Sequence, residues 1–333
     1  MRDIPFTTVL ASWYERPGPA ADVLQLGEMA APQPGPGEVR IRVVLSGVNP
    51  GDTKKRSDWL GFGMPFPRVV PHSDGSGVID AVGEGVDRGR VGRRVWVYGA
   101  QSYRPFGTAA QLTVVPADQA VDLPDEVADE VGACLGIPGI TAHRAVFGDG
   151  PVEGKVVLVQ GVLGGVGSLA AQLAHRGGAT VIGTVRRAGD VDQVGPSVRH
   201  VVALDDEDPA DAIRANAPDG VHRTIEVALS DNAQLDAAVA AFGGVIAAYA
   251  TRHELPAIPF WPMLFANVSI RLLGSDDFPL AAKHQAAADL TAAAREGALA
   301  IPVGPPLPLD EIAAAHDRVD AGARDRVLLA IPA

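Results

Sequence analysis

The feature that most constrains the fold is a run of glycines placed directly after a short apolar segment. Residues 156–159 read Val-Val-Leu-Val, the next eight read Gln-Gly-Val-Leu-Gly-Gly-Val-Gly, and a helical pattern follows over 168–175. An apolar run of this length is typical of a buried parallel strand. A glycine turn between a strand and a helix exposes backbone amides and the helix dipole to an anion. The segment therefore predicts a dinucleotide-binding unit.

Each glycine of this loop has a predicted task. Gly161 permits a tight turn, whereas Gly164 and Gly165 let the backbone approach a pyrophosphate with no Cβ atom in the way. Gly167 allows close packing of the helix on the strand. The spacing departs from G-x-G-x-x-G because Leu163 occupies the second glycine position. A glycine-rich packing turn without a nucleotide is the alternative interpretation.

The next predicted strand, 180–185, indicates which nucleotide is bound. It closes with Arg186 and Arg187, and no acidic residue follows until Asp190. An NAD site typically has a carboxylate near this strand end to hold the ribose 2′-hydroxyl. Guanidinium groups instead bind a 2′-phosphate through charge-assisted hydrogen bonds. We therefore predict NADP(H) as cofactor, the alternative being two arginines that only face solvent.

The remaining segments indicate an α/β protein with two regions that differ in their sequence pattern. Up to residue 124, short alternating segments are separated by glycine- and proline-rich turns, which is typical of a small barrel-like β domain. Beyond it, apolar strands and helical stretches alternate, as in a doubly wound parallel sheet. The predicted strands are 38–45, 77–82, 93–98, 108–115, 156–159, 180–185, 200–204, 223–227, 244–249, 269–273 and 326–331. The predicted helices are 125–135, 141–147, 168–175, 280–296 and 309–320.

Charge and cysteine content exclude several classes of function. The 333 residues include 40 acidic and 28 basic side chains, for a formal net charge of −12, which disfavours binding to nucleic acid or to anionic membranes. The single cysteine, Cys134, excludes an intrachain disulfide and a cysteine-rich zinc lobe. The first residues form no secretory signal, and the longest apolar stretch, 236–251, is shorter than a membrane helix. We expect a soluble cytoplasmic protein.

Taken together, the motifs resemble one family over nearly the whole chain. This family comprises the zinc-free quinone oxidoreductases, the zeta-crystallin-like branch of the medium-chain dehydrogenase/reductase superfamily. The segments that carry the resemblance are Ser46–Asp52, Pro71–Val86, Val114–Asp118, Pro138–His143 and the glycine loop. The resemblance implies a GroES-like, β-rich catalytic domain and a doubly wound Rossmann cofactor domain.

The resemblance also implies how these domains divide the chain. Residues 1–124 would form the GroES-like domain, completed by 278–333, and residues 125–277 would bind NADP(H). Substrate would bind in the cleft between the domains. A homodimer would form through the last strand of the Rossmann sheet, near 269–273.

Asn49 and Thr141 are the candidate catalytic residues, because they match family positions near the nicotinamide and the substrate. Alternatively, Asn49 is a turn residue before Pro50 and Thr141 is a helix N-cap. Other cofactor contacts are expected at the loop and at the carboxyl ends of strands, which face the ligand crevice. The full predicted cofactor set is Asn49, Thr141, Gly161, Gly164, Gly165, Val166, Thr184, Arg186, Arg187, Val227 and Tyr249.

No metal site is expected. Ser46 lies near the position where zinc alcohol dehydrogenases of the superfamily have a cysteine, Ser73 replaces their ligand histidine, and His72 is one residue out of register. Many relatives carry an aromatic residue soon after Asp52, where this chain has the basic segment Lys54-Lys55-Arg56. That segment indicates either an anionic substrate or a solvated basic loop.

The absence of a Lewis acid favours an acceptor that delocalises the charge delivered by hydride. A quinone is such an acceptor, and alignment over the nicotinamide supplies much of the acceleration. The predicted function is a zinc-independent NADPH:quinone oxidoreductase. The alternatives are an NADPH-dependent alkenal or enoyl-thioester reductase, and an NADPH-binding protein without turnover.

Overall fold

The computed structural model describes residues 8–333, which form two compact units. The first comprises the described residues up to Ile137 together with Ala287–Ala333, and the second is Pro138–Ala286. The observed units divide after Ile137 and after Ala286, whereas the predicted domain boundaries lie earlier in the chain, after residues 124 and 277.

The elements are numbered in chain order over the described residues. The strands are β1 (Thr8–Trp13), β2 (Gln25–Ala30), β3 (Glu38–Val48), β4 (Asp74–Val82), β5 (Arg94–Val97), β6 (Leu112–Pro116), β7 (Ala120–Asp122), β8 (Val156–Val159), β9 (Thr180–Val185), β10 (His200–Ala203), β11 (Val221–Glu226), β12 (Ala240–Ala248), β13 (Ser269–Leu272), β14 (Leu307–Pro308) and β15 (Val327–Ala330). The α-helices are α1 (Ala20–Val23), α2 (Pro50–Ser57), α3 (Asp129–Gly132), α4 (Ile137–Phe147), α5 (Gly165–Arg176), α6 (Pro209–Asn216), α7 (Leu229–Val239), α8 (Phe260–Phe265), α9 (Leu280–Arg295) and α10 (Ile312–Asp320).

The second unit is built on a six-stranded sheet in the order β10-β9-β8-β11-β12-β13, and every pair is parallel. Numbered from β8, this is the order 3-2-1-4-5-6 of a dinucleotide-binding Rossmann sheet. Leu158, Ile182 and Ile225 on the central strands are fully buried, as expected for strands covered on both faces. The predicted doubly wound sheet is confirmed, and the carboxyl ends of β8, β9, β11 and β12 meet at one edge.

The first unit contains a mostly antiparallel sheet in the order β14-β15-β3-β4-β5-β7, with β6 also paired to β3, and a separate β1-β2 ribbon. Its core holds Val39, Ile41, Ile79 and Val95, all fully buried. The C-terminal strand β15 pairs antiparallel with β3, so that the last part of the chain completes this unit.

The predicted helices 125–135 and 141–147 differ most from those observed, whereas α5, α9 and α10 differ from the predicted helices only at their ends. Only α3 forms within the predicted helix 125–135, and it ends at Gly132, a residue type with a poor preference for helix. Helix α4 begins at Ile137 rather than at Thr141, since Pro138 is tolerated in a first helical turn. Thr141 therefore lies inside a helix, and its interpretation as an N-cap is wrong.

Within residues 8–333, no helix is both long enough and apolar enough to cross a bilayer.

Candidate functional site

The glycine loop between β8 and α5 is a tight turn that glycine makes possible. Gly161 has φ +65°, a conformation that a Cβ atom disfavours. Its N–H donates to Thr184 Oγ1 at 3.1 Å, and its carbonyl accepts from the Gly164 N–H at 2.9 Å. The turn is therefore closed on itself and anchored to β9.

The packing of α5 against this turn requires a second glycine. A Cβ atom on Gly167 would lie 2.5 Å from the Gly161 carbonyl oxygen. Gly164, at the N-cap, makes no side-chain cap, and the first helical amides have no acceptor within the helix. Gly164 is exposed, and Gly165 and Val166 in the first turn are half-buried. The free amides at the start of α5 can therefore bind an anionic group, and we call this site, residues 161–167, the glycine cradle.

Two cationic side chains follow the adjacent strand. Arg186 and Arg187 come directly after β9 and are both exposed. Neither guanidinium group has a hydrogen bond or an ion pair with any other residue of the described range 8–333. Their guanidinium groups are therefore available to an anion, which is the donor set that a 2′-phosphate requires.

Val227 and Tyr249 lie at the same carboxyl edge of the sheet. A Cβ atom on Gly161 would be 3.1 Å from Val227 Cγ1, so Val227 flanks the loop. The Tyr249 N–H donates to the Glu226 carbonyl at 3.0 Å. Burial raises the pKa of the Tyr249 phenol, and the Glu226 carboxyl raises it further, so the phenol stays protonated.

Thr184 supports the loop from inside the protein. Its side chain is fully buried, and its hydroxyl donates to Gln160 Oε1 at 2.6 Å while accepting from the Gly161 N–H. Gln160 Nε2 in turn donates to Asp236 Oδ1 at 2.9 Å. The hydroxyl of Thr184, predicted as a cofactor contact, is thus engaged in holding the loop backbone.

Sequence reasoning missed Gln160, Glu226 and Asp236 as members of this cluster. Burial raises the pKa of both carboxyls, and that of Asp236 is raised further by Glu226. A signal was present, since Asp236 lies three residues after Ala233 on α7, on the helix face that is buried. A carboxylate on an apolar helix face requires a partner.

Asn49, in the first unit, is buried and held in one orientation. Its Nδ2 donates to Asp74 Oδ2 at 2.7 Å, and its Oδ1 accepts from Arg326 Nη2 at 2.8 Å. Its backbone N–H donates to Asp52 Oδ2 at 2.8 Å at the start of α2. A carboxylate on one side of the amide and a guanidinium on the other prevent it from flipping.

Asp74 is the buried carboxyl on which this arrangement depends. Its Oδ1 accepts from the Ile137 N–H at 2.8 Å. Burial raises the pKa of Asp74 to about 7, although the Ile137 N–H, Asn49 and Arg326 oppose the rise. The surrounding donors therefore offset only part of the effect of burial on this carboxyl.

A directional chain of hydrogen bonds runs beside Asn49. Arg56 Nε–H can only donate, so His316 Nδ1 accepts at 3.2 Å and His316 carries its proton on Nε2. That proton is donated to His72 Nε2 at 2.9 Å, so His72 carries its own proton on Nδ1 and donates it to Ser46 Oγ at 2.8 Å. Ser46 then donates to Thr108 Oγ1 at 2.7 Å, and Thr108 donates to a backbone carbonyl, that of residue 74, at 2.6 Å.

Both histidines of this chain are neutral. Burial lowers the pKa of His316 to about 3, with Arg56 adding to the effect, and burial lowers that of His72 well below its ordinary value. His72 also has φ +77°, a strained conformation for a histidine. Among residues 8–333, no group of three or more His, Cys, Asp or Glu side chains could hold a metal ion.

Thr141 belongs to the second unit. It lies in α4 and is buried, one turn after the helix begins at Ile137. Asn49, the other candidate catalytic residue, belongs to the first unit.

Comparison with known proteins identifies the family. Residues 35–125 match the alcohol dehydrogenase GroES-like domain family. The chain is 30% identical over 315 residues to the quinone oxidoreductase of Rattus norvegicus, covering 92% of each chain, and 30% identical over 328 residues to that of Homo sapiens, covering 95% of each. The chain belongs to the quinone oxidoreductase family. The predicted membership of the medium-chain dehydrogenase/reductase superfamily and the predicted fold class are thereby confirmed.

Solved structures agree with this assignment. The structure of the mycobacterial protein Rv1454c complexed with NADPH superposes with a TM-score of 0.83 at 27% identity, covering 98% of this chain and 100% of that one. The native structure of a mycobacterial quinone oxidoreductase gives a TM-score of 0.85 at 27% identity, covering 97% of this chain and 99% of that one.

This quinone oxidoreductase relative uses its basic segment in an unexpected way. Lys54, Lys55 and Arg56 lie in α2, and Arg56 is buried, where it donates to the Gly18 carbonyl and pairs with Asp320 at 3.0 Å. The interpretation as a solvated basic loop is wrong for Arg56, because its guanidinium organises the interior of the unit. The other two remain at the surface side of α2: Lys54 Nζ lies 4.4 Å from the ring centroid of Trp59, and Lys55 donates to Gln101 at 3.3 Å.

Proposed function

We propose that this quinone oxidoreductase relative is an NADPH-dependent enzyme that reduces a quinone without zinc. The observation that carries the proposal is the glycine cradle at the start of α5, together with two arginines after β9 whose guanidinium groups have no partner within residues 8–333. Such a combination is complementary to a dinucleotide that carries a 2′-phosphate.

The residues present fit NADPH. The amides of Gly165 and Val166 would hold the diphosphate, and Arg186 and Arg187 would hold the 2′-phosphate. Val227 and Tyr249 would line the crevice at the carboxyl edge of the sheet. NADPH, when bound, supplies the hydride, and the protein supplies orientation and the exclusion of water.

Asn49 has one N–H left for the reaction. A side-chain amide carries two Nδ2 protons, and Asp74 takes one of them. We assign the second to the cofactor carboxamide or to the acceptor oxygen, where a fixed donor stabilises developing negative charge. The hydroxyl of Thr141 is assigned to the nicotinamide end of the cofactor. Both residues were predicted from family resemblance alone.

Zinc independence is supported by what the polar groups near Ser46 already do. Both ring nitrogens of His72 are engaged, one with His316 and the other with Ser46. Ser73 stands where zinc enzymes of the superfamily have a ligand histidine. An acceptor that spreads the incoming charge over a ring, such as a quinone, needs no Lewis acid.

The second unit has an edge suited to a homodimer. Strand β13 pairs only with β12 in the described sheet, and Trp261, Phe265 and Leu272 near this edge are 64%, 71% and 74% exposed. Apolar patches of this kind mark protein contacts. We propose a homodimer through β13, which light scattering on the purified protein would test. We also propose a cytoplasmic location, since the single cysteine is buried and unpaired.

The function is tested by following NADPH oxidation with quinones, alkenals, enoyl-thioesters and simple ketones as acceptors. We expect the fastest turnover with quinones, a preference for NADPH over NADH, and no effect of a chelator. Faster turnover of enoyl-thioesters would favour the alternative for which Lys54 and Lys55 supply an anion site. Turnover of no acceptor despite NADPH binding would indicate a binding protein, and turnover of ketones that a chelator abolishes would refute zinc independence.

A further inference from the structure

Two carboxyl groups lie buried together beneath the glycine loop. Glu226 ends β11, Asp236 lies on α7, and neither side chain is exposed to solvent. They lie within hydrogen-bonding distance of each other. Within the described residues, neither forms an ion pair with a cationic side chain.

The hydrogen bonds of the pair leave one oxygen of each carboxyl without a donor. Glu226 Oε1 accepts from the Ala228 N–H and from Asn232 Nδ2 at 3.1 Å, and Asp236 Oδ1 accepts from Gln160 Nε2. Glu226 Oε2 and Asp236 Oδ2 accept from no donor in residues 8–333. One proton between these two oxygens satisfies both, whereas two adjacent buried anions would repel each other.

Gln160 transmits the position of this pair to the loop. Because Asp236 Oδ1 accepts from Gln160 Nε2, the amide oxygen of Gln160 must point the other way, towards the Thr184 hydroxyl. Thr184 donates to that oxygen, which leaves its own lone pair to accept from the Gly161 N–H. Each bond in this sequence fixes the direction of the next.

We propose that the Glu226–Asp236 pair, sharing one proton, is a positioning element of the NADPH site: through Gln160 and Thr184 it holds Gly161 in the conformation that receives the diphosphate. This inference rests on the proposed function. Loss of the shared proton would place two negative charges in contact below the cradle. The affinity for NADPH should then fall as the pair ionises at alkaline pH.

The groups that face the pair are few. Gln160 and Asn232 are neutral amides from the end of β8 and from α7, and the backbone N–H groups of Val227 and Ala228 also donate to Glu226. Thr184 on β9, which contacts Gln160 rather than the pair, is a neutral hydroxyl. Tyr249, after β12, faces Glu226 as a protonated phenol whose pKa is raised by burial. No cation among them would stabilise a doubly ionised pair.

Asp236→Asn tests the proposal, because its amide can donate to Glu226 in place of the shared proton and still accept from Gln160. The infrared difference spectrum of wild type minus this variant should contain a protonated carboxyl band at pH 7, to which Asp74 does not contribute because both proteins contain it. As pH is raised, the band and the NADPH affinity of wild type should fall together, with about a tenfold rise in Kd for each pH unit above the midpoint. The Kd of Asp236→Asn should stay within about threefold of its value at pH 7 over the same range, since its amide cannot ionise. Asp231→Asn, on the exposed side of α7, should follow wild type.

Thr184→Val keeps the test decisive if Asp236→Asn does not fold or if the band persists at high pH. Removing the acceptor of the Gly161 N–H should raise the Kd for NADPH about tenfold at pH 7, as expected for a buried donor left unpaired. An unchanged Kd in Thr184→Val, a missing carboxyl band at neutral pH, or an alkaline weakening that survives in Asp236→Asn would overturn the proposal. Wild type that binds no NADPH at any pH would refute the proposed function instead.

Discussion

The buried polar groups of the two units are balanced in different ways. In the first unit, the carboxyl of Asp74 is surrounded by the Ile137 N–H, the Asn49 amide and, beyond that amide, Arg326. In the second unit, Glu226 and Asp236 have no cation, and Arg186 and Arg187 have no anion, within the described residues.

The difference separates internal scaffolding from ligand recognition. A charge cluster that is balanced inside the protein has no need of a ligand, whereas exposed cations without partners are available to one. The unbalanced acidic pair must instead keep a proton. The first unit therefore presents a preorganised neutral amide, Asn49, and the second presents uncompensated positive charge for a phosphate.

Removing Arg326 should break the balance of the first unit and have the largest effect. Arg326→Met leaves Asp74 buried without its cation and frees the Asn49 oxygen. We expect a loss of about 3–5 kcal/mol in the free energy of unfolding, measured by urea denaturation. Arg68→Met, which breaks the exposed pair with Glu15, is the matched control and should cost less than about 1 kcal/mol. Equal losses in both variants would refute the buried balance.

Removing the free cations of the second unit should weaken cofactor binding rather than folding. In Arg186→Ala/Arg187→Ala we expect the Kd for NADPH to rise about a hundredfold, because two charge-assisted hydrogen bonds of about 1.5 kcal/mol each are lost. Binding of NADH should be unchanged. Calorimetry with both nucleotides measures this, and Arg199→Ala, another exposed arginine of the same unit, should behave as wild type. An equal loss for NADH would contradict the 2′-phosphate assignment.

The neutral histidines of the first unit predict acid sensitivity. The pKa of His316 is lowered to about 3 in the folded protein, so below about pH 6.5 only the unfolded chain takes up its proton and stability falls as pH decreases. Between pH 6 and 4, the free energy of unfolding of wild type should fall by about 1.4 kcal/mol more per pH unit than that of His316→Gln. The carboxyl groups contribute equally to the pH dependence of both proteins, so their contribution cancels in this comparison. His253→Gln, at an exposed position, should keep the wild-type slope, and parallel slopes for wild type and His316→Gln would show that His316 is not held neutral.

The same comparison explains what could be predicted from the sequence. Strands β8 and β9 were predicted with their observed bounds, because apolar runs and glycine turns are local signals. The chain from Arg56 through His316 to His72 was not predictable, since its members come from α2, α10 and the segment before β4. Long-range partners leave no local periodicity, and a buried arginine in a basic segment looks the same in sequence as a solvated one.

The smallest expected effect concerns backbone strain in the loop. Gly161 and His72 both have positive φ, but only glycine adopts this conformation without a steric penalty. Gly161→Ala should lower the free energy of unfolding by about 1 kcal/mol, through the left-handed conformation and a Cβ contact of 3.1 Å with Val227. Gly161→Asn should lose less from the backbone, because asparagine visits this region more readily, and Gly189→Ala, at a position with open space around it, is the control. An equal free energy of unfolding for Gly161→Ala and Gly189→Ala would mean that the turn relaxes to accept alanine. The Kd of Gly161→Ala for NADPH would then show whether cofactor binding depends on the left-handed conformation of residue 161.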